Sequence, residues 1–132
     1  AMAYAEALFI EEFADTSLAA AGGLGIFRPI FFAVSKGQEP DLAKAREAWA
    51  TQLPPLFDVL EARLAGATYF AGEALSIADI TVAHVLLQIA LVAEMPLGQW
   101  PALERHFAMM FAHPAIAAPY KAADSIIRKA LP

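Results

Sequence analysis

Between Ile77 and Ala93 the chain is apolar except at Asp79, Thr81, His84 and Gln88. A helix that is apolar nearly all round has to be surrounded, either by lipid or by other helices. The run falls short of the ~20 residues that cross a bilayer. It also carries Asp79, His84 and Gln88, and no basic cluster flanks it to orient it in a membrane. The membrane reading is therefore rejected, and this segment becomes the centre around which the rest of the fold is arranged.

Its start is well marked. Ser76 stands at the N-cap, where its hydroxyl suits the Asp79 N–H, and Asp79 at the third helical position can reach back to the Ser76 N–H. An acidic group there also complements the helix dipole. Leu75 and Ile80 hold the staple positions on either side. The cap is worth about 1–2 kcal/mol.

The remaining segments carry helical spacing too. Ala5, Phe9, Ile10 and Phe13 recur at three- and four-residue steps, with Glu6, Glu11, Glu12 and Asp15 between them, predicting a helix over 3–20. Gly22, Gly23 and Gly25 are expected to end it. The apolar stretch 27–34 predicts a short buried helix with Pro29 in its first turn. After a loop at 36–40, a helix is expected over 41–65. Its inward face holds Trp49, Leu53, Leu56, Phe57, Leu60 and Leu64, and Pro54-Pro55 should kink or split it. Gly66 closes it, and residues 69–72 form a short extended connection. Further helices are expected over 77–94, 101–112 and 114–118, with Pro119 separating a last one at 120–130. No strand alternation persists anywhere. The expected fold is all-α, a bundle of five to six helices in a single domain spanning 1–132.

Hydrophobic residues make up 59% of the 132 residues, against a usual ~45–50%, and the mean hydropathy is +0.51. For a chain expected to pack as a bundle, that excess points to apolar surface that meets another domain. With 14 acidic and 9 basic residues the net charge is −5. That balance lacks the electrostatic footprint of a nucleic-acid binder and disfavours adhesion to anionic membranes. Absence of cysteine removes disulfides, thiolate metal sites and thiol nucleophiles, and suits the cytoplasm. No secretory leader is visible.

The segment Tyr69-Phe70-Ala71-Gly72-Glu73-Ala74-Leu75-Ser76-Ile77-Ala78-Asp79-Ile80 follows a long helix ending Leu60-Glu61-Ala62-Arg63-Leu64. In that setting it resembles the C-terminal helical domain of the glutathione transferase family. A looser likeness extends from Glu11-Glu12-Phe13 to His113-Pro114. The resemblance implies that Ser76 and Asp79 are structural, securing the start of the core helix. It implies no catalytic residue in this half. In the family an N-terminal thioredoxin-like domain holds glutathione, and nothing here reads as βαβ, so no cofactor is expected on this chain alone. The helical half lends one wall of the electrophile pocket and part of a dimer surface. The candidate wall residues are Phe9, Phe13 and Phe27, which ordinary core packing would equally explain.

Other chemistry is thinly supported. His84, His106 and His113 lack zinc-ligand spacing, and His84 reads as a hydrogen-bonded core histidine. Glu11, Glu12 and Asp15 read as a solvated helix face. The serines lack a nucleophile elbow, and Gly22 to Gly25 lacks the strand and lysine of a phosphate loop. The methionines read as space-filling core. The functional expectation is the helical half of a glutathione-transferase-like protein, partnered by a thioredoxin-like domain or another protein, with a homodimer open. A stand-alone interaction module is the alternative, and a small apolar-ligand binder a third reading.

Overall fold

A computed structural model describes residues 1–130, and those residues form five helices and no strand. They are α1 (Met2–Ser35), α2 (42–63), α3 (Ile77–Ala90), α4 (Pro101–Ala112) and α5 (Pro114–Ala130). α3 lies in the middle. It buries Ala78, Val82, Val85, Leu86 and Ile89 in one core with Ile10, Ala14, Leu18 and Ile26 of α1 and Leu53, Phe57 and Leu60 of α2. Burying a side chain such as Phe57 or Leu86 is worth about 1.5–3 kcal/mol each. Within the expected inward face of α2, Leu53, Phe57, Leu60 and Leu64 are fully buried, while Trp49 and Leu56 pack at its margin.

Two expected breaks do not occur. The glycines of α1 do not end it, because the helix continues through them to Ser35. They keep helical backbone and permit close approach instead. A methyl at Gly22 would fall 2.7 Å from Ile89 Cδ1, and one at Gly25 would fall 3.0 Å from Ala48 Cβ. Pro119 does not divide α5 either. The carbonyl it leaves without a helical partner belongs to Ala115, in the exposed first turn, where the loss is small.

Pro54-Pro55 is accommodated by winding. Residues Ala48–Gln52 run as π-helix directly before the prolines, which then sit in the first turn of the α-helical stretch Leu53–Arg63. Wider winding moves the preceding carbonyls away from the rings, so α2 is neither split nor ended there. α1 contains two such stretches, Ala14–Leu18 and Ala20–Phe27.

Helix ends are held by specific groups. Asp41 Oδ1 accepts from the Ala43 N–H at 3.1 Å and opens α2. Gly66, at φ 70°, turns the chain after α2. The Glu61 carboxylate of α2 accepts from the Ala102 and Leu103 N–H groups at 2.9 and 2.8 Å, capping α4 from a neighbouring helix. The Trp100 indole N–H donates to Asp58 at 2.7 Å and braces the same junction.

Among the described residues one helix, α1, is long and apolar enough to cross a membrane by length and composition, and 39% of its most apolar window is buried in the bundle. Helix α3, the segment singled out from sequence, is a shorter apolar helix.

Candidate functional site

The segment from Tyr69 to Asp79 is organised around one carboxylate. Asp79 is fully buried. Its Oδ2 accepts from the Ser76 N–H at 2.9 Å and the Ser76 hydroxyl at 3.1 Å. Its Oδ1 accepts from the Phe70 N–H at 3.1 Å and from His106 Nε2 of α4 at 2.8 Å. Ser76 and Asp79 thus form a capping box, and the same aspartate ties the connection and α4 to it. Burial by itself would raise the Asp79 pKa. Hydrogen bonds from His106, Ser76 and Phe70 outweigh it and hold the carboxyl below its ordinary value.

Leu75 and Ile80 flank this cap at the staple positions. They are 44% and 45% exposed, while Asp79 between them in sequence is fully buried. With all its donors supplied by the protein, this carboxylate ties the helix start, the preceding connection and α4 together. The Phe70 ring lies 4.7 Å from the His106 ring, and His106 Nδ1 has no partner.

A cleft lies on the other side of α3. Its first part, about 500 Å³, runs along α1 from Asp15 and Thr16, past Ala19, Ala20, Gly23 and Leu24, to Phe27, Arg28 and Phe32. His84, Val85 and Gln88 of α3 close it from above. A second part of about 410 Å³ shares Phe27, His84 and Gln88 and continues between α3 and α5. Ile80, Leu87, Leu91, Ile116, Tyr120 and Ile127 line it. Each part falls in the ~300–1,000 Å³ range of ligand sites.

The α1 wall of the cleft coincides mostly with its π-wound part: Ala14–Leu18 and Ala20–Phe27 are π-helical, with Ala19 between them.

Polar groups gather in the first part, where Asp15, Thr16, Arg28, His84 and Gln88 line the wall; the second part is mainly apolar. Thr16 is committed to the Glu12 carbonyl at 2.7 Å. The Gln88 side-chain N–H donates to His84 Nε2 at 3.1 Å. Burial first, then the Asp124 charge, raises the Tyr120 pKa, which keeps that phenol neutral and able to donate.

Of the three candidate wall residues, Phe27 lines both parts of the cleft. Phe9 and Phe13 line neither. Their rings stack on each other at 6.4 Å, and the Arg63 guanidinium of α2 sits 4.9 Å from the Phe9 centroid. Both stand in the α-wound start of α1, before the π-helical stretches re-aim its face. His84 is exposed in the cleft and is not a core residue; the fully buried histidine is His106. His106 falls at three- and four-residue steps between Leu103 and Met110, a spacing that marks the inner face of α4. Among the described residues no group of three His, Asp or Glu side chains is placed to hold a metal ion.

The family model for the glutathione S-transferase C-terminal domain matches residues 23–114. No curated protein matches the chain. A solved structure of glutathione S-transferase-I bound with the ligand lactoylglutathione is similar in fold, with a TM-score of 0.79 at 22% identity. The similarity covers 92% of this chain and 57% of that one, so the chain spans little more than half of that protein's length. An all-helical bundle built round a capped core helix, with the family model matching most of its length, places the chain in the glutathione S-transferase C-terminal domain family.

Proposed function

We propose that this chain is the helical half of a glutathione-transferase-like protein, and that the cleft between α1, α3 and α5 is the wall on which the apolar part of a substrate rests. The observation that carries this is the pair of adjoining cavities sharing Phe27, His84 and Gln88. One has charged groups along its rim, and the other is lined almost wholly by apolar side chains. That division suits a ligand with an apolar body and a polar end. The chain has no thiol, and its one buried carboxylate is enclosed. Glutathione, held by a thioredoxin-like domain, supplies the nucleophilic sulfur. The residues here orient the second substrate and exclude water from it. Family membership and the cysteine-free composition support a cytoplasmic protein. The exposed α1 residues Tyr4, Leu8 and Phe9 offer part of a homodimer surface.

The test is titration of the 132-residue chain with 8-anilinonaphthalene-1-sulfonate, an aromatic probe whose fluorescence rises in apolar sites. Saturable one-site binding is expected. Ile80→Arg places a charge at a cleft position already 45% exposed in the fold. It should weaken binding about tenfold, equivalent to ~1.4 kcal/mol, with the circular dichroism unchanged. A wild-type chain without saturable binding overturns the reading.

A second reading, a stand-alone protein-interaction module, is favoured by the 75%, 71% and 50% exposure of Met2, Tyr4 and Phe9. It predicts a complex of fixed stoichiometry that Phe9→Asp abolishes. Sedimentation as a free monomer from native lysate would argue against it.

A further inference from the structure

We propose that Tyr120 is a specificity-determining residue of the second cavity: its phenol donates a hydrogen bond to a neutral acceptor oxygen, such as a ketone or aldehyde carbonyl, on an otherwise apolar substrate. The proposal rests on reading the cleft as a ligand wall.

Ile116, Tyr120, Ala123 and Ile127 recur at three- and four-residue steps, so one face of α5 forms a wall of this cavity. Helix α3 supplies Ile80 and Leu87 opposite. Phenylalanine would serve so apolar a wall as well as tyrosine does, and a phenol taken out of water ordinarily has a hydrogen-bond partner. Tyr120 is half-buried. Burial and the charges of Asp124 and Arg128 act on its hydroxyl, and no hydrogen bond from a described residue does. The Asp124 carboxylate is engaged elsewhere: its Oδ2 accepts from Arg128 Nε at 2.7 Å, and its Oδ1 has no partner.

The ring itself is held in place. It meets Phe111 of α4 edge-on at 4.3 Å, and Phe111 packs in turn against Phe107 at 5.4 Å. A fixed ring with an unbonded hydroxyl, in a cavity that is otherwise mainly apolar, is a placed polar group of the kind that orients a ligand. The two other polar side chains lining this cavity, His84 and Gln88, are bonded to each other at 3.1 Å. Because its pKa is raised, the phenol keeps its proton and donates. Its acceptor is neutral, since an ionised one would lose its hydration among apolar side chains.

The experiment titrates wild type and Tyr120→Phe with 8-anilinonaphthalene-1-sulfonate, then displaces this probe with 2-acetylnaphthalene or with 2-ethylnaphthalene, which has a similar shape without the oxygen. Tyr120→Phe should weaken 2-acetylnaphthalene about fivefold, as the loss of one hydrogen bond does, and leave 2-ethylnaphthalene within about twofold. Tm should not change, because the hydroxyl holds nothing in the fold. Equal weakening of both compounds would show that Tyr120 only shapes the wall and would overturn the proposal. An affinity for 2-acetylnaphthalene unchanged by the substitution, no displacement by it at all, or a lower Tm overturns it as well, and each leaves the cleft reading intact. A wild-type chain without saturable probe binding removes the cleft reading and this proposal together.

Discussion

Replacing Asp79 by alanine strands four donors at once: the Phe70 and Ser76 N–H groups, the Ser76 hydroxyl and His106 Nε2. Ser76 is only partly buried, so its two donors can turn to water. Phe70 and His106 are buried and their donors cannot. A buried donor left without an acceptor costs about 1–3 kcal/mol, and loss of the cap adds ~1 kcal/mol. Together these predict a destabilisation of about 3–7 kcal/mol, which at roughly 3 °C per kcal/mol lowers Tm by some 10–20 °C. An exposed cap would cost only ~1 kcal/mol, so the magnitude separates a buried organising centre from an ordinary helix start. Thermal and urea unfolding followed at 222 nm would measure it. A loss of 1 kcal/mol or less would refute the reasoning, because the inward bonds to Phe70 and His106 would then be contributing nothing.

Three further outcomes follow from the same structure. The folded pKa of Asp79 lies below its unfolded value of 3.8, so its contribution is complete above that value and drains away as pH falls through the folded pKa. The urea midpoint should therefore drop on acidification below about pH 4, and Asp79→Asn should flatten that limb; an unaltered acid limb in the variant would contradict this. Glu61→Ala removes the carboxylate that caps α4 from α2, and urea unfolding should show a loss of about 1–2 kcal/mol, whereas a neutral result would mean that water replaces it freely. Gly25→Ala gains helix propensity worth ~1 kcal/mol but drives a methyl to 3.0 Å from Ala48 Cβ. The overpacking, about 1–3 kcal/mol, should win, and a raised Tm would show that α1 and α2 can separate at little cost.

Much of the architecture was legible because it depends on local rules. Ser76 and Asp79 stand three apart before an apolar run, and that spacing alone marks a helix start. The inward residues of α2 recur at helical steps, which is why Leu53, Phe57, Leu60 and Leu64 were found together. Of the three candidate wall residues, Phe27 alone lines the cleft. Its remaining α1 residues sit four apart, a step that drifts off one face in an ordinary α-helix. They lie in a stretch wound almost wholly as π-helix, which no local pattern announces. His84 is exposed despite its apolar sequence surroundings, because an apolar run does not say which of its faces a neighbour leaves open.

The order of apolar and polar residues, with its caps and breaks, was enough to determine an all-helical bundle round the segment after Ser76, because helix period and capping are properties of neighbouring residues. Tertiary structure alone decided that α1 runs unbroken through its glycines, that His106 completes the shell of Asp79, and that a cleft opens beside His84. Each of these depends on how closely helices distant in sequence approach, and that distance is set by three-dimensional packing.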